Sequence, residues 1–446
     1  EALDRLDELA DYFLLHDRPI GVRCDDSVTQ VFEGKEMVIR RSRGYAPLPV
    51  RLSFDLLPIL ACGAELKNTF CLTEGRYAFL SQHVGDLENE ETLDAFITGV
   101  AHFQRVFHLR PRVIAHDLHP DYLSTRYALS PADGEPPLPG GARGLTDVDL
   151  GASSTGAPSA DAKSGDELPF SCGPIAVQHH HAHVASCMAE NGLDERVIGV
   201  AFDGAGYGSD GAIWGGEFLL ADYADFERAA HLKYVPLPGG DAAVRRPYRM
   251  AISYLRQVFD DAMPRLALLE RVEQAELAVI ERQLARRINA PLTSSCGRLF
   301  DAVSALLGIR EVVNYEGQAA IELEMRSGTD VSESYDFTFL GRWPIEVDAR
   351  PVIASIVDDL YASVPAGTIG GRFHNAVAKM VVQVCHRLRR ETGLRKVCLS
   401  GGVFQNRLLL RRTLEGLRGA GLQPFVHHLV PCNDGGLALG QALVAN

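Results

Sequence analysis

The chain has 446 residues, of which 46% are hydrophobic, and its 58 acidic and 44 basic side chains give a net charge of −14. This composition is typical of a globular protein of two or three domains, and the acidic balance argues against binding nucleic acid or an anionic membrane. Nine scattered cysteines without a CxxC pair, and no apolar run near the roughly 18 residues of a membrane span, indicate a cytoplasmic protein with free thiols. We therefore expect protein or small-molecule partners.

Residues 1–50 are predicted to be the end of a preceding domain together with a linker. Residues 1–15 have helical spacing and residues 19–40 resemble short strands, which is too little for a domain. The linker is placed at Tyr45–Pro49. Because the chain starts at Glu1 without a methionine, we expect it to be a fragment of a longer protein.

Residues 51–195 are predicted to form the first half of an α/β domain. A hairpin is expected from Ala61 onward, with its turn at Glu74-Gly75. Residues 130–174 are rich in Gly, Pro and Ser and are predicted to be a disordered insertion. The other elements expected in this half are helices at 91–107 and 120–129, a strand at 113–116, and a strand before the histidines.

Residues 196–446 are predicted to form the second half. It begins with two strands joined by a glycine-rich turn and continues with a third strand near 231–236 and a helical block at about 242–392. The elements expected after the block are a strand at 396–400, a helix at 405–419, a strand at 424–429 and a helix at 435–444.

The two halves share one order of elements: a hairpin and third strand, then helix, strand, helix, strand, helix. This order predicts a duplicated α/β fold. In such a pair, the carboxyl ends of corresponding strands face one another across a central cleft. The last strand-to-helix junction of each half is therefore expected at that cleft.

In the first half this junction carries four histidines in five positions, from His179 to His183. His179 and His183 lie one helical turn apart, which is the spacing that a metal ion needs, although a solvated polar helix start has the same pattern. His180 and His181 are expected to point elsewhere. In the second half the junction contains Asp434, which is predicted to be the third metal ligand.

Two glycine-rich turns are candidate phosphate loops. The turn after Asp203 carries Gly204 and Gly206, and the loop from Ser400 to Asn406 carries Gly401 and Gly402 at a helix N-terminus, where free N–H groups favour anions. A tight hairpin turn and close helix packing are the structural alternatives at these two loops.

Three further residues are candidates for nucleotide contacts. Glu316 and Gln318 lie in the segment 314–322 that leads into a helix, where they would reach the adenosine end or cap the helix. Lys67 would neutralise phosphate or remain a solvated lysine. No cysteine has a partner fixed by spacing, so buried inert thiols are expected rather than a nucleophile.

Taken together, these motifs resemble those of the HypF family of hydrogenase-maturation carbamoyltransferases. The resemblance covers nearly the whole chain outside 130–174. The matching segments are Asp17–Ile20, Arg23–Val28, Gly63–Cys71, Ser81–Asn89, Ala115–Thr125, Val177–His183, Phe202–Gly208, Tyr315–Ala320, Leu399–Asn406 and Asn433–Gln441.

The resemblance implies duplicated ribonuclease-H-like halves of the acetate-kinase, sugar-kinase, Hsp70 and actin superfamily, with a central nucleotide cleft, preceded by a YrdC-like remnant. In that family, carbamoyl phosphate and ATP with Mg²⁺ yield carbamoyl-adenylate in the YrdC-like part. The domain covered here then passes the carbamoyl group to the C-terminal cysteine of HypE, for the cyanide ligand of nickel–iron hydrogenase.

The resemblance also implies roles for individual residues. His179, His183 and Asp434 would bind one divalent metal, iron or zinc. Asp203 would lie beside the metal and the phosphates, and the adenylate would be held by Gly204, Gly206, Gly401, Gly402 and Asn406. The alternatives are a small-molecule O-carbamoyltransferase of antibiotic tailoring, a tRNA-modifying relative, and a nucleotide-binding scaffold without transfer activity.

Overall fold

The structure is a computed structural model that describes residues 3, 6–15, 17–18, 20–130, 173–260 and 262–446. The predicted disordered insertion lies almost entirely outside these residues. Within the described ranges, none of the helices combines the length and the apolar character needed to traverse a bilayer.

The N-terminal segment forms an antiparallel ribbon of β1 (Val28–Phe32) and β2 (Lys35–Arg40). Glu33 and Gly34 both have positive φ, as a tight hairpin turn requires. Phe32 and Met37 are buried in the core of the second half, and Glu33 pairs with Arg418 at 3.1 Å. The short strands predicted here are confirmed, and they are docked on the body of the protein.

The first half is built on a sheet in the order β3-β5-β4-β6-β7, in which β6 is parallel to both β4 and β7. Its strands are β3 (Val50–Leu56), β4 (Ile59–Ala61), β5 (Cys71–Leu80), β6 (Val113–Asp117) and β7 (Ile175–Val177). Its helices are α1 (Glu90–Phe107), α2 (Leu123–Leu129) and α3 (His179–Glu190).

Strand β5 folds back on itself. The Ser81 N–H donates to the Phe70 carbonyl at 2.8 Å, whereas a straight strand of that length would separate these residues by roughly 36 Å. Gly75 has φ +56°, which suits a turn in the middle of the segment. The two arms pair with different neighbours, Cys71 with β4 and Ala78 with β3. The hairpin predicted at Glu74-Gly75 is therefore confirmed.

The second half is built on a sheet of nine strands whose main path is β13-β14-β10-β9-β8-β15-β16. Strand β15 is parallel to β8 and β16, and β9 is antiparallel to β8 and β10. The strands are β8 (Val197–Tyr207), β9 (Ile213–Ala221), β10 (Phe226–Leu232), β11 (Val235–Pro236), β12 (Leu292–Thr293), β13 (Thr338–Leu340), β14 (Ile345–Asp348), β15 (Lys396–Ser400) and β16 (Gln423–Phe425).

The block predicted to be helical at 242–392 also contains strands. Thr293 of β12 pairs with Ile213 of β9, and β14 extends the sheet beside β10. These strands have two to four residues, which is too short for a periodic pattern to show. The helices of this half are α4 (Asp241–Arg245), α5 (Tyr248–Phe259), α6 (Ala267–Arg271), α7 (Gln274–Arg286), α8 (Cys296–Leu306), α9 (Gln318–Arg326), α10 (Arg350–Tyr361), α11 (Ala366–Thr392), α12 (Arg407–Gly419) and α13 (Leu437–Val444).

The duplicated α/β fold predicted from element order is confirmed. In each half the first strand of the hairpin, β4 or β8, lies in the centre of the sheet. The next strands along the chain, β5 in the first half and β9 and β10 in the second, lie to one side of it. Two parallel strands, β6 and β7 or β15 and β16, lie on the other side. Each half ends in a helix, α3 or α13. The predicted domain boundaries at 50/51 and 195/196 stay predictions.

Helices α3 and α13 join the two halves. Leu437 and Ala442 of α13 are buried in the core of the first half, while Val184 and Met188 of α3 pack against strands of the second. The helices approach so closely that a Cβ on Gly440 would lie 1.8 Å from the Ala182 carbonyl oxygen. Since Ala182 lies between the histidines, this contact determines how closely the histidine helix α3 packs against α13.

We expect Gly440→Ala to lower the free energy of unfolding by about 1–3 kcal/mol, the usual cost of overpacking a core. Urea denaturation measures this loss. Gly419→Ala in α12 is the matched control, because a Cβ there meets nothing within 4 Å. A Gly440→Ala protein as stable as the control would contradict the close approach of the two helices.

Candidate active site

The histidine helix starts where β7 ends. Gln178 is the N-cap of α3, and its side-chain oxygen accepts a hydrogen bond from the His181 N–H at 2.9 Å. This capping fixes the first turn of the helix. His179 and His183 are 0% and 1% exposed, so both imidazoles point into the protein rather than into solvent.

Two histidines and two carboxylates converge at the cleft between the halves. The Nε2 atom of His183 lies 3.2 Å from Asp203 Oδ2 and 3.4 Å from Asp434 Oδ1. The Nε2 atom of His179 lies 3.4 Å from Asp203 Oδ2 and 3.6 Å from Asp434 Oδ1. The three residues predicted as metal ligands are therefore brought together, and Asp203 is a fourth member of the group.

These separations fit a shared ion. Four ligands in a tetrahedron, each roughly 2.1 Å from the metal, lie roughly 3.4 Å from one another. All four candidate ligand atoms lie within 4.8 Å of each other. Most of the nitrogen-to-oxygen distances exceed the ordinary length of about 2.7–3.2 Å for an N–H···O hydrogen bond. The donor set and the spacing thus match a zinc-like or iron-like site better than a set of direct hydrogen bonds.

The carboxylate of Asp203 is held at both oxygens. Its Oδ1 accepts the backbone N–H groups of Gly204 at 2.8 Å and Gly402 at 3.2 Å, which leaves Oδ2 facing the histidines. When no metal ion is bound, burial would raise the pKa of Asp203, but hydrogen bonds and charge from His179 and His183 hold that pKa well below its usual value. Asp203 is therefore a fixed anion.

His179 is oriented by a carboxylate that the sequence analysis did not assign a role. Its Nδ1 atom lies 2.8 Å from Asp117 Oδ2, and both side chains are fully buried. Burial would lower the pKa of His179, but the charge of Asp117 raises it well above its usual value. Asp117 ends β6, and β6 neighbours β7, so the rule that the carboxyl ends of parallel strands meet would have found it.

The other two histidines of the run point elsewhere, as predicted. The His181 Nε2–H group donates to the Asp222 carbonyl at 2.6 Å. His180 lies against Trp214, at 6.1 Å between ring centroids, and burial together with the charge of His179 holds its pKa well below its usual value.

A cleft adjoins the four converging side chains. The predicted residues that line it are Lys67, Asp203, Gly204, Glu316, Gly402, Asn406 and Asp434. Lys67 forms an ion pair with Glu316, and burial would lower the pKa of Lys67, but the charge of Glu316 raises it.

Three predicted nucleotide contacts have other structural roles. A Cβ on Gly206 would lie 2.5 Å from the His180 ring, and one on Gly401 would lie 2.2 Å from the Phe202 carbonyl oxygen, so both glycines permit close packing and neither lines the cleft. The Gln318 amide accepts the Asn314 N–H at 2.8 Å and donates to Glu322 at 2.9 Å. It therefore fixes the start of α9.

The sequence analysis also missed polar residues of helix α8. Arg298 and Asp301 line the cleft and pair at 3.0 Å, with 8% and 5% of their side chains exposed. The Ser295 hydroxyl ties the start of this helix to the Asp203 carbonyl at 2.9 Å. No local signal linked residues 295–301 to the cleft, because that contact depends on how the helical block folds back.

The cysteines of the described residues are free, and all but Cys24 are buried. Burial raises the pKa of the Cys432 thiol, the one next to the Asp434 loop, to about 12. The expectation of buried thiols is confirmed for the described cysteines other than Cys24, and their inertness stays a prediction.

Comparisons with known proteins identify the family to which the chain belongs. A family model described as "HypF Kae1-like domain" matches residues 55–190, and one described as "Carbamoyltransferase, Kae1-like Domain, second subdomain" matches residues 199–441. A carbamoyltransferase HypF homolog of Cupriavidus necator is 35% identical over 403 residues, covering 88% of this chain and 92% of the relative. The chain belongs to the HypF carbamoyltransferase family.

The resemblance inferred from the motifs is thereby confirmed. Carbamoyltransferase HypF2 of Cupriavidus necator is 40% identical over all of this chain, which spans 54% of the relative. A crystal structure described as full-length HypF in the phosphate- and nucleotide-bound form superposes with a TM-score of 0.85 at 42% identity, covering 100% of this chain and 64% of that one. The chain thus spans about half the length of HypF2.

A buried histidine supports the cleft wall. The His374 Nδ1–H group donates to the Gly370 carbonyl at 2.7 Å, and Nε2 accepts from the Asn406 amide at 2.9 Å. Asn406 Oδ1 is occupied as the cap of α12, where it accepts the Leu409 N–H at 2.8 Å. A second proton on His374 would face an amide donor, and burial lowers the pKa of His374 to about 4.

We expect the buried imidazole of His374 to make the protein lose stability as the pH falls. The unfolded chain takes up the proton near pH 6.5, whereas the folded chain resists it until about pH 4. The contribution is therefore complete above pH 6.5 and decreases by on the order of 3 kcal/mol as the pH falls to 4.

Unfolding free energies of His374→Gln and of the native chain, measured by urea at pH 7 and pH 4.5, test this. The pH dependence should be weaker in His374→Gln and unchanged in His386→Gln, since His386 is exposed on the same helix. Equal pH dependence in all three proteins would contradict the assignment.

Proposed function

We propose that this chain is the transfer half of a hydrogenase-maturation carbamoyltransferase. It takes the carbamoyl group of carbamoyl-adenylate, made from carbamoyl phosphate and ATP with Mg²⁺ in the full enzyme, and passes it to the C-terminal cysteine thiol of HypE. The observation that carries this proposal is the convergence of His179, His183, Asp203 and Asp434 at one end of a cleft that Lys67 and the Gly204 and Gly402 loops also line. The similarity to a HypF structure with bound phosphate and nucleotide supports it.

The cleft offers distinct surroundings to the parts of an adenylate. The phosphate end would lie beside Gly204, Gly402 and Lys67, where the lysine supplies positive charge. The apolar side chains of Phe300 and Ile321 provide a surface for a base, and the carboxylates of Asp301 and Glu324 are acceptors for ribose hydroxyls. The adenosine end is thus assigned to helices α8 and α9, with Glu316 between the two ends.

The four converging residues fit one divalent metal, iron or zinc. Two carboxylates and two neutral imidazoles would leave an excess of negative charge with little exposure to solvent, which a cation would neutralise. Such an ion would stabilise the negative charge on the adenylate phosphate as it leaves.

The transfer itself is an acyl substitution. The thiolate sulfur forms a bond with the carbamoyl carbon, and the bond from that carbon to the phosphate oxygen breaks, so AMP leaves with the electron pair. The thiol proton is released to solvent. Burial raises the pKa of Cys432, so this thiol beside the Asp434 loop is a poor nucleophile, which agrees with an acceptor thiol supplied by a partner.

We expect the chain to carbamoylate HypE when it is given synthetic carbamoyl-adenylate, without carbamoyl phosphate or ATP. Intact-mass spectrometry would show a gain of one carbamoyl group on the HypE C-terminal cysteine, and HypE with that cysteine changed to serine is the control. Nucleotide binding without any carbamoylated thiol would contradict the proposal and favour the scaffold function. Transfer to small alcohols instead would favour O-carbamoylation.

We expect His183→Ala to lose the metal, with metal content falling at least tenfold while the fold is retained. Elemental analysis of the purified protein measures this, and circular dichroism checks the fold. His181→Ala is the matched control, because that imidazole points toward Asp222 and not into the cleft. Native metal content in His183→Ala would contradict the ligand assignment.

A further inference from the structure

A row of buried polar side chains in mutual contact runs from His183 away from the cleft. His183 Nδ1 lies 3.3 Å from the Ser400 hydroxyl, which lies 2.8 Å from His427 Nε2, and His427 Nδ1 lies 3.3 Å from Glu190 Oε2. Ser400 is fully buried, and the side chains of His427 and Glu190 are each 2% exposed. None of the last three residues lines the cleft.

This row of side chains connects both halves of the protein. Ser400 ends β15, His427 follows β16, and Glu190 is the last residue of α3, the helix that carries His183. Glu190 is itself fixed by backbone donors, because Oε1 accepts the His428 N–H at 2.5 Å and Oε2 accepts the Val430 N–H at 3.1 Å.

The positions of the protons follow from Glu190, whose contacts with backbone donors are fixed. Glu190 faces backbone N–H donors and is an acceptor, so the His427 Nδ1 atom opposite it carries hydrogen. His427 Nε2 then accepts the Ser400 O–H, and this contact is shorter than the 3.4 Å between that hydroxyl and the Cys432 carbonyl. The Ser400 oxygen is left to accept from His183 Nδ1–H.

The result is a defined tautomer of His183. With hydrogen on Nδ1, the Nε2 lone pair of His183 is available to an ion held between Nε2 and the oxygens of Asp203 and Asp434, which lie 3.2 and 3.4 Å from it. Metal-binding histidines commonly have their second nitrogen oriented in this way by an outer partner. For His179 the partner is the single carboxylate of Asp117, whereas His183 reaches a carboxylate only through two intervening side chains.

We propose that Ser400, His427 and Glu190 are positioning residues that hold His183 in the Nδ1–H tautomer and present Nε2 to a divalent metal. This inference rests on the proposed metal site. Loss of an outer partner typically weakens metal binding by roughly 10- to 100-fold. This row of side chains also makes metal affinity depend on a contact between the two halves, since Ser400 and His427 come from the second half and Glu190 comes from the first.

Zinc affinities from competition with a chromophoric chelator test the proposal. We expect Ser400→Ala and His427→Phe to bind Zn²⁺ about 10- to 100-fold more weakly than the native chain. His427→Gln should stay within about threefold, because its amide oxygen places an acceptor near the Nε2 position. His428→Ala is the control, since this neighbouring side chain contacts the Glu36 carbonyl and lies outside the chain of contacts.

Two further readouts separate positioning from a structural role. Urea denaturation checks that the variants are folded, and the visible spectrum of bound Co²⁺ reports the geometry of the ligands. Native-like Zn²⁺ affinity in both Ser400→Ala and His427→Phe would overturn the inference, as would equal losses in His427→Phe and His427→Gln. A native chain that fails to bind Zn²⁺ would instead contradict the metal site itself, and the inference with it.

Discussion

Two carboxylates with little solvent exposure, Asp203 and Asp434, face the same pair of histidines. This concentration of charge is the constraint on which the rest of the site depends. Each carboxylate would be expensive to bury alone, and each raises the cost of the other. The backbone N–H groups of Gly204 and Gly402 and the imidazoles of His179 and His183 offset part of that cost. A bound cation would offset the remainder, so the geometry is poised for an ion rather than for an internal salt bridge.

That charge cluster can form only if the two halves close tightly. The histidines come from the first half and both carboxylates come from the second. The contact of α3 with α13 at Ala182 and Gly440 therefore brings the histidine helix close to the element that follows Asp434. Gly206 has a related function, because its missing side chain lets β8 lie directly against the rings of His179 and His180. Glycines that resemble phosphate loops in the sequence therefore serve partly to let charged groups approach one another.

The sequence predicted the elements and the duplication well, because helices such as α1 and strands such as β15 have clear periodic patterns. It also predicted that His179, His183 and Asp434 would lie close together, since equivalent strand ends of duplicated halves meet at one cleft. Their role as metal ligands stays a prediction. It missed Asp117 and Arg298 for a different reason. The Asp117 contact depends on the register of β6 against β7, where Asp117 pairs with Val177, and the position of Arg298 depends on how a long helical block returns to the sheet. The rule that the carboxyl ends of parallel strands meet would have placed Asp117 beside the histidine junction, whereas local sequence carries no information about the position of Arg298.

The N-terminal ribbon of β1 and β2 has a closer connection to the site than its predicted origin in a preceding domain suggests. The Asn433 amide donates to the Ile39 carbonyl at 3.1 Å, and its oxygen accepts the Gly435 N–H at 2.9 Å. Asn433 thus links the ribbon to the loop that carries Asp434. Because Phe32 and Met37 of the ribbon are buried in the second half's core, a displacement of the ribbon would strain this loop. The ribbon is accordingly part of the scaffold that positions a metal-facing carboxylate.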